Sequence, residues 1–293
     1  MNRRARVSNA VALTAVRGAA GLLLAVLAWI VAYSLAAGWN EITQVHFYTH
    51  SPITTGAGSG VAPQLFNTAY LLVLTLLLTI PTGLAAGIYF AEYAGTGRLV
   101  NAVRRATETL ATLPSIVVGL FGYSLFVQAV HAQPSRLAAA LALTVIGLPY
   151  AIRVTEDALR ALPPVLREGA LALGATRWQA ITRTLLRAAL PSLITGMILI
   201  AGRVFGEAAA VLFTGTAGTP TPHPNFGLSP FETGDTLAVN LYLFRSQVQV
   251  SDVPDVNLYT AGVAALLILL VLVFNVAARV TGRLAVRRLQ GRT

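Results

Sequence analysis

Long apolar runs alternate with arginine-rich segments along this sequence, and that alternation constrains the fold more than any single motif. Residues 18–37 form an uncharged apolar run of 20 residues, about 30 Å as a helix and enough to cross a hydrocarbon core. Comparable runs follow at 67–90, 110–130, 137–152, 191–213 and 258–278. The first run also admits a signal-peptide reading, with Ser34-Leu35-Ala36 as a weak cleavage site, but its length favours a span. The expectation is an all-α integral membrane protein with six transmembrane helices.

Composition agrees. Charged residues make up 11% of the chain and hydrophobic ones 55%, with a mean hydropathy of +0.68, whereas a soluble domain carries about 25% charge. All 21 basic residues are arginine, and the formal net charge is +10. A basic balance can signal nucleic acid, but these arginines sit beside apolar runs, where topology explains them. Four fall in 1–17, three in 91–109, six in 153–187 and five in 279–292; the opposite segments hold only Arg136 and Arg245. The positive-inside rule therefore places both termini and the central loop in the cytoplasm. There is no cysteine, which excludes disulfides and thiolate chemistry. Without lysine there is no G-x4-G-K-[ST] phosphate loop, so any ATP that drives this chain is hydrolysed on another one.

The central stretch, 154–190, is too charged to cross a membrane. Pro163 ends one helical pattern, Pro164 starts another, and Gly174 stops it. Trp178, Ile181, Leu185 and Ala189 then recur at helical spacing. The stretch reads as a cytoplasmic helix-turn-helix that meets a partner, or else lies on the bilayer surface through Arg177 and Trp178. Small residues Ala170, Ala172 and Gly174 permit close approach, and Leu171 and Leu173 supply apolar area. Glu168 has two partners within reach, an arginine of a docked protein or Arg167 beside it.

Glu168, Ala170, Gly174 and Leu186 resemble the EAA loop of binding-protein-dependent ABC importer permeases, with Gly169, Thr184 and Arg187 departing from the pattern. Three further stretches are similar to permeases of the phosphate uptake system: Leu113-Pro-Ser-Ile-Val-Val-Gly-Leu-Phe-Gly122, Ala170-Leu-Ala-Leu-Gly-Ala-Thr-Arg-Trp-Gln179 and Gly202-Arg-Val-Phe-Gly-Glu-Ala208. Ala208 stands where that family has threonine. Together with Thr236-Leu-Ala-Val239, the nearest resemblance is to the PstA family. It implies a type I (MetI-like) permease fold and a multi-pass protein of a bacterial or archaeal cell membrane. It also implies a PstC-like permease partner, a PstB-like ATPase dimer that holds ATP-Mg, and an extracytoplasmic phosphate-binding protein. On this reading residues 1–17 are a basic cytoplasmic segment and 18–66 the first span with its outer loop. The permease domain is 67–280, with outer loop 214–257, and 281–293 form a basic tail.

One charge pair lies inside a span. Arg203 comes 12 residues after Pro191, about 18 Å along a helix and near the bilayer middle. Such a residue usually faces a cavity or a partner. Glu207, at i+4, is positioned to neutralise it. The pair reads as part of an anion path, or as a structural tie between helices. Gly202 and Gly206 form a Gly-x3-Gly ridge beside it; Gly83 and Gly87 in the second span read equally as a close-approach ridge or as relief of the kink at Pro81. His46, His50, His131 and His223 show no metal-ligand spacing, and no catalytic cluster is evident. Glu92 and Glu108 sit at the cytoplasmic border with Arg98, Arg104 and Arg105 as solvated pairs. The competing readings are a permease for another oxyanion or nutrient, and an ion-coupled secondary carrier. The carrier reading is weakened because neither inverted repeats nor broken midplane helices are evident in the sequence.

Overall fold

A computed structural model describes residues 3–52, 60–95, 97–216, 226–246 and 256–289. The prolines at 220, 222 and 224, His223 and Arg292 lie outside these. Among the described residues all regular structure is helical. The first helix, α1, spans Arg3–Ile42, and the short α2 spans Val45–Thr49. α3 (Ala62–Ile88) continues into a wider turn at Tyr89–Tyr93. α4 covers Arg98–Thr112, and α5 (Ser115–Tyr123) runs on through a second wider turn, Ser124–Gln128. α6 is Arg136–Arg160 and α7 is Pro164–Ala172. α8 (Arg177–Gln179) joins α9 (Leu186–Phe205) through a third wider turn, Ala180–Leu185. α10 (Ala209–Thr216), α11 (Leu237–Ser246) and α12 (Val256–Leu289) complete the order.

Among the described residues five stretches are long and apolar enough to cross a membrane, and a sixth results if the bent pair Arg98–Thr112 and Ser115–Gln128 is one span. That pair turns through 104°, so the unbroken third span expected over 110–130 is not formed. Proline disfavours helical backbone in the residue before it. Leu113 is accordingly extended, with φ −65° and ψ 138°, and Pro114 takes the N-cap of α5. α4 buries none of its residues and lies as an amphipathic arm against α6.

The expected fifth span, 191–213, is likewise corrected. The helix begins earlier, at Arg177, and stops at Phe205. Gly206 N–H bonds back to the Arg203 carbonyl and Glu207 N–H to that of Val204, a tightened last turn. After Gly206–Ala208 the chain re-enters a helix as α10. Broken helices are thus present where continuous ones were expected.

Packing centres on α3, α6, α9 and α10. A methyl group at Gly83 would stand 2.3 Å from Ala151 Cβ, and one at Gly87 would stand 2.4 Å from Thr155 Cβ. The two glycines form a notch in which α6 rests against α3. Buried Thr75 and Thr79 lie on α3, and Thr79 Oγ1 donates to Thr144 Oγ1 at 3.3 Å. α10 fits beside α5 in the same way, with Gly119 against Ala209 and Ala210. By contrast α1 exposes Leu22, Leu23, Leu24, Leu27 and Trp29; in a span these meet lipid. α1 meets α12 at Gly38, which abuts Ala261.

Candidate translocation and coupling sites

Arg203 occupies the last turn of α9 with its side chain exposed. Its Nη1 donates to the Tyr150 hydroxyl at 2.7 Å, and its guanidinium carbon stands 4.6 Å from the Tyr150 ring centre. The tyrosine hydroxyl donates in turn to the Ala111 carbonyl at 3.0 Å. Ala111 lies at the end of α4, just before the 104° bend. Along α6, Tyr150 is about 21 Å from Arg136 and about 15 Å from Arg160 at 1.5 Å per residue, so Arg203 lies level with the middle of α6. The expected Arg203–Glu207 pairing is not made. It assumed a continuous helix, and the backbone leaves the helix at Gly206, which removes the i+4 relationship. Among the described residues neither side chain forms an ion pair within 4.0 Å. Gly202 packs beside Asn275 of α12, where an added methyl would stand 3.3 Å from Asn275 Nδ2. Gly206 has open space around it, so the two do not act as one ridge.

Towards the arginine-rich side, Tyr150 borders a cavity of about 640 Å³ that Arg104, Arg153, Glu156 and Arg160 also line. Arg104 and Arg160 both reach Glu156 Oε1 at 2.8 Å. This replaces the expected pairing of Arg104 with Glu92 or Glu108. Glu92 turns away, to the central loop.

That loop is built as two capped turns. α7 ends in a Schellman motif: Ala175 N–H bonds the Ala170 carbonyl and Gly174 N–H that of Leu171. The motif needs a left-handed residue, and Gly174 supplies it at φ +82°. α8 opens with a capping box in which Thr176 Oγ1 accepts from Gln179 N–H and Gln179 Oε1 accepts from Thr176 N–H. Glu168, Leu171, Leu173, Gly174 and Trp178 are all exposed, Leu173 by 91%, and Ala170 is half-buried. Arg167 reaches Glu92 instead of Glu168: its Nε donates to Glu92 Oε2 at 2.9 Å, and its Nη2 donates to Oε1. That hydrogen-bonded carboxylate raises the Arg167 pKa further above its ordinary value.

A residue passed over in the sequence lies at the opposite end. Arg136, read there as part of an outer turn, is fully buried. It donates to the Gly227 carbonyl, pairs with Glu232 at 3.3 Å, and lies over the rings of Phe66 and Tyr70. Nearby, Gln64 Nε2 donates to Asp235 at 3.0 Å, and Thr68 Oγ1 accepts from Leu237 N–H at 3.0 Å. The one available signal was Phe66 and Tyr70 at i and i+4, a ready platform for a cation. Among the described residues no three His, Asp or Glu side chains gather as metal ligands.

A family model described as binding-protein-dependent transport system inner membrane component matches residues 83–291. The chain is 40% identical over 280 residues to the probable ABC transporter permease protein YqgI of Bacillus subtilis (strain 168), covering 92% of this chain and 93% of that protein. It is 35% identical over 212 residues to phosphate transport system permease protein PstA 1 of Mycobacterium tuberculosis, covering 71% and 69%. Among solved structures, the inward-facing MetNI methionine ABC transporter matches with a TM-score of 0.59 at 21% identity, over 76% of this chain and 93% of that one. The bacterial alginate ABC transporter in complex with an alginate pentasaccharide-bound periplasmic protein matches at 0.63 and 18%, over 91% and 94%. These structural likenesses establish the fold.

Proposed function

The chain belongs to the family of binding-protein-dependent transport system inner membrane components, as a multi-pass ABC importer permease of type I fold, and from that premise we propose that it passes inorganic phosphate. The observation that carries the reading is Arg203, a guanidinium at mid-depth on an exposed face, held by a tyrosine hydroxyl rather than by a carboxylate. A charge in that place usually faces a water-filled path or a partner. Tyr150 occupies one nitrogen and leaves the rest of the planar fork free. Such a fork matches an oxyanion with two parallel hydrogen bonds. Glu207 is half-buried on the loop that follows and sets a negative charge near the path, which favours release. The phosphate-permease relatives support the same solute.

The partners follow from the same reading. A PstC-like permease completes the pathway, a PstB-like ATPase pair binding ATP-Mg meets the exposed surface of α7 and α8, and an extracytoplasmic phosphate-binding protein delivers the anion. The fold equally admits another oxyanion. The test is uptake into vesicles holding this chain with those partners, comparing phosphate, sulfate and molybdate. Uptake of phosphate alone, dependent on ATP and binding protein, is the expected result. Transport of sulfate or molybdate without phosphate would overturn the assignment of solute.

A further inference from the structure

We propose that Glu92 is the positioning residue of the coupling helix, through which α3 passes movement from the outer loop to α7. The proposal rests on the coupling role given above to α7. α3 is held at three levels. At its outer end Gln64 donates to Asp235, Thr68 accepts from Leu237 N–H, and Tyr70 donates to the Leu228 carbonyl at 2.9 Å. These tie it to the segment 226–246 that faces away from the arginine-rich side. Further in, over its last two turns, the notch at Gly83 and Gly87 seats it on α6. At its inner end the Phe90 carbonyl accepts from Arg160 at 3.2 Å, and Glu92 takes both Nε and Nη2 of Arg167.

The last contact is specific in three respects. The Glu92 side chain is only 7% exposed, although it lies beyond the apolar run. The helix widens over Tyr89–Tyr93, where Ala94 N–H bonds the Tyr89 carbonyl. One wider turn inserts the equivalent of a residue, about 100° of rotation, and this sets the direction in which Glu92 points. Finally, Arg167 immediately precedes Glu168, so the carboxylate grips α7 at the start of the exposed docking surface. The pair borders a cavity of about 150 Å³ that Ala91, Leu171 and Arg177 also line, and among the described residues Glu92 is the only acid there. A planar two-bond contact fixes orientation as well as distance. Displacement of α3 therefore turns α7.

Two measurements test this. The chain has no cysteine of its own, so Ala91→Cys with Leu171→Cys reports the α3–α7 contact by oxidative cross-linking in membranes. Glu92→Gln is expected to lower cross-linking at least threefold, and equal cross-linking would overturn the proposal. In the assembly with ATPase and phosphate-loaded binding protein, Glu92→Gln is expected to lower the ratio of stimulated to basal hydrolysis several-fold. Glu92→Asp, which keeps the charge, should retain most of it. Wild-type stimulation in the Gln variant, or equal loss in both, counts against the proposal. If the unsubstituted chain binds no ATPase, the functional reading fails instead, and cross-linking still decides whether Glu92 holds α7.

Discussion

Arg203 and Tyr150 are joined twice, by a 2.7 Å hydrogen bond from guanidinium to hydroxyl and by the guanidinium resting 4.6 Å from the ring centre. The two contacts separate under substitution. Tyr150→Phe keeps the ring and removes the hydroxyl, leaving both Arg203 and the Ala111 carbonyl one partner short. A hydrogen bond to a charged group contributes about 1.5–3 kcal/mol, so phosphate uptake at low concentration should fall about tenfold with assembly intact. Arg203→Lys keeps the charge without the fork and should be intermediate, while Arg203→Met should be weakest. Normal uptake by Arg203→Met would remove Arg203 from the path.

The α3–α6 notch has no spare volume. Gly83→Val places side-chain atoms inside the space of Ala151. Overpacking of this kind costs roughly 1–3 kcal/mol. Thermal unfolding in detergent should shift downward, and Ala151→Gly in the same chain should recover part of the loss.

Gly174 is held by backbone sign. At φ +82° any side chain is strained by about 1–2 kcal/mol. Gly174→Ala should leave the spans inserted but fray the end of α7. Faster protease cutting near 174 and weaker retention of the ATPase are the expected readouts. Gly169, which has open space around it and no left-handed strain, serves as the control position for alanine.

Arg136 fastens the outer segment to α3 and α6. Arg136→Met removes the bonds to Gly227 and Glu232, about 2 kcal/mol by the worth of charged hydrogen bonds. Glu232 is partly exposed and stays solvated, so the expected loss is local. Protection of 227–232 from proteolysis should fall, with little change elsewhere. Unchanged protection would show that the backbone bonds Arg136 N–H to Glu232 and Leu137 N–H to Pro230 suffice.

The first, second, fourth and sixth spans were legible because run length alone marks them, and the central loop because Pro164 and Gly174 punctuate it. The 104° bend was written in the sequence too. Pro114 and the charged face of 98–112 both mark it, but the apolar residues from 110 onward masked the boundary. Pairing was harder to read. Glu207 looked like the partner of Arg203 only on the assumption that the helix continues past Gly206. The burial of Arg136 depends on Phe66, Tyr70 and Glu232, which come from segments far apart in the chain, and no local pattern encodes that meeting. Glu92 was assigned to its sequence neighbours for the same reason.

The bend before α5 also bears on how the membrane voltage acts. Ser115–Gln128 makes about 21 Å of helix, against a hydrocarbon core of about 30 Å. Beyond the bend the chain turns aside by 104° into α4, which carries three arginines and a glutamate and no buried residue, so on the proposed reading water reaches the start of α5. Water conducts, so the electrical potential drops mainly across the shorter dry stretch. On the proposed reading, a solute carrying one or two negative charges would cross a steeper field there than a uniform slab imposes, with about 2.3 kcal/mol per charge for each 100 mV concentrated beside the level at which Arg203 stands.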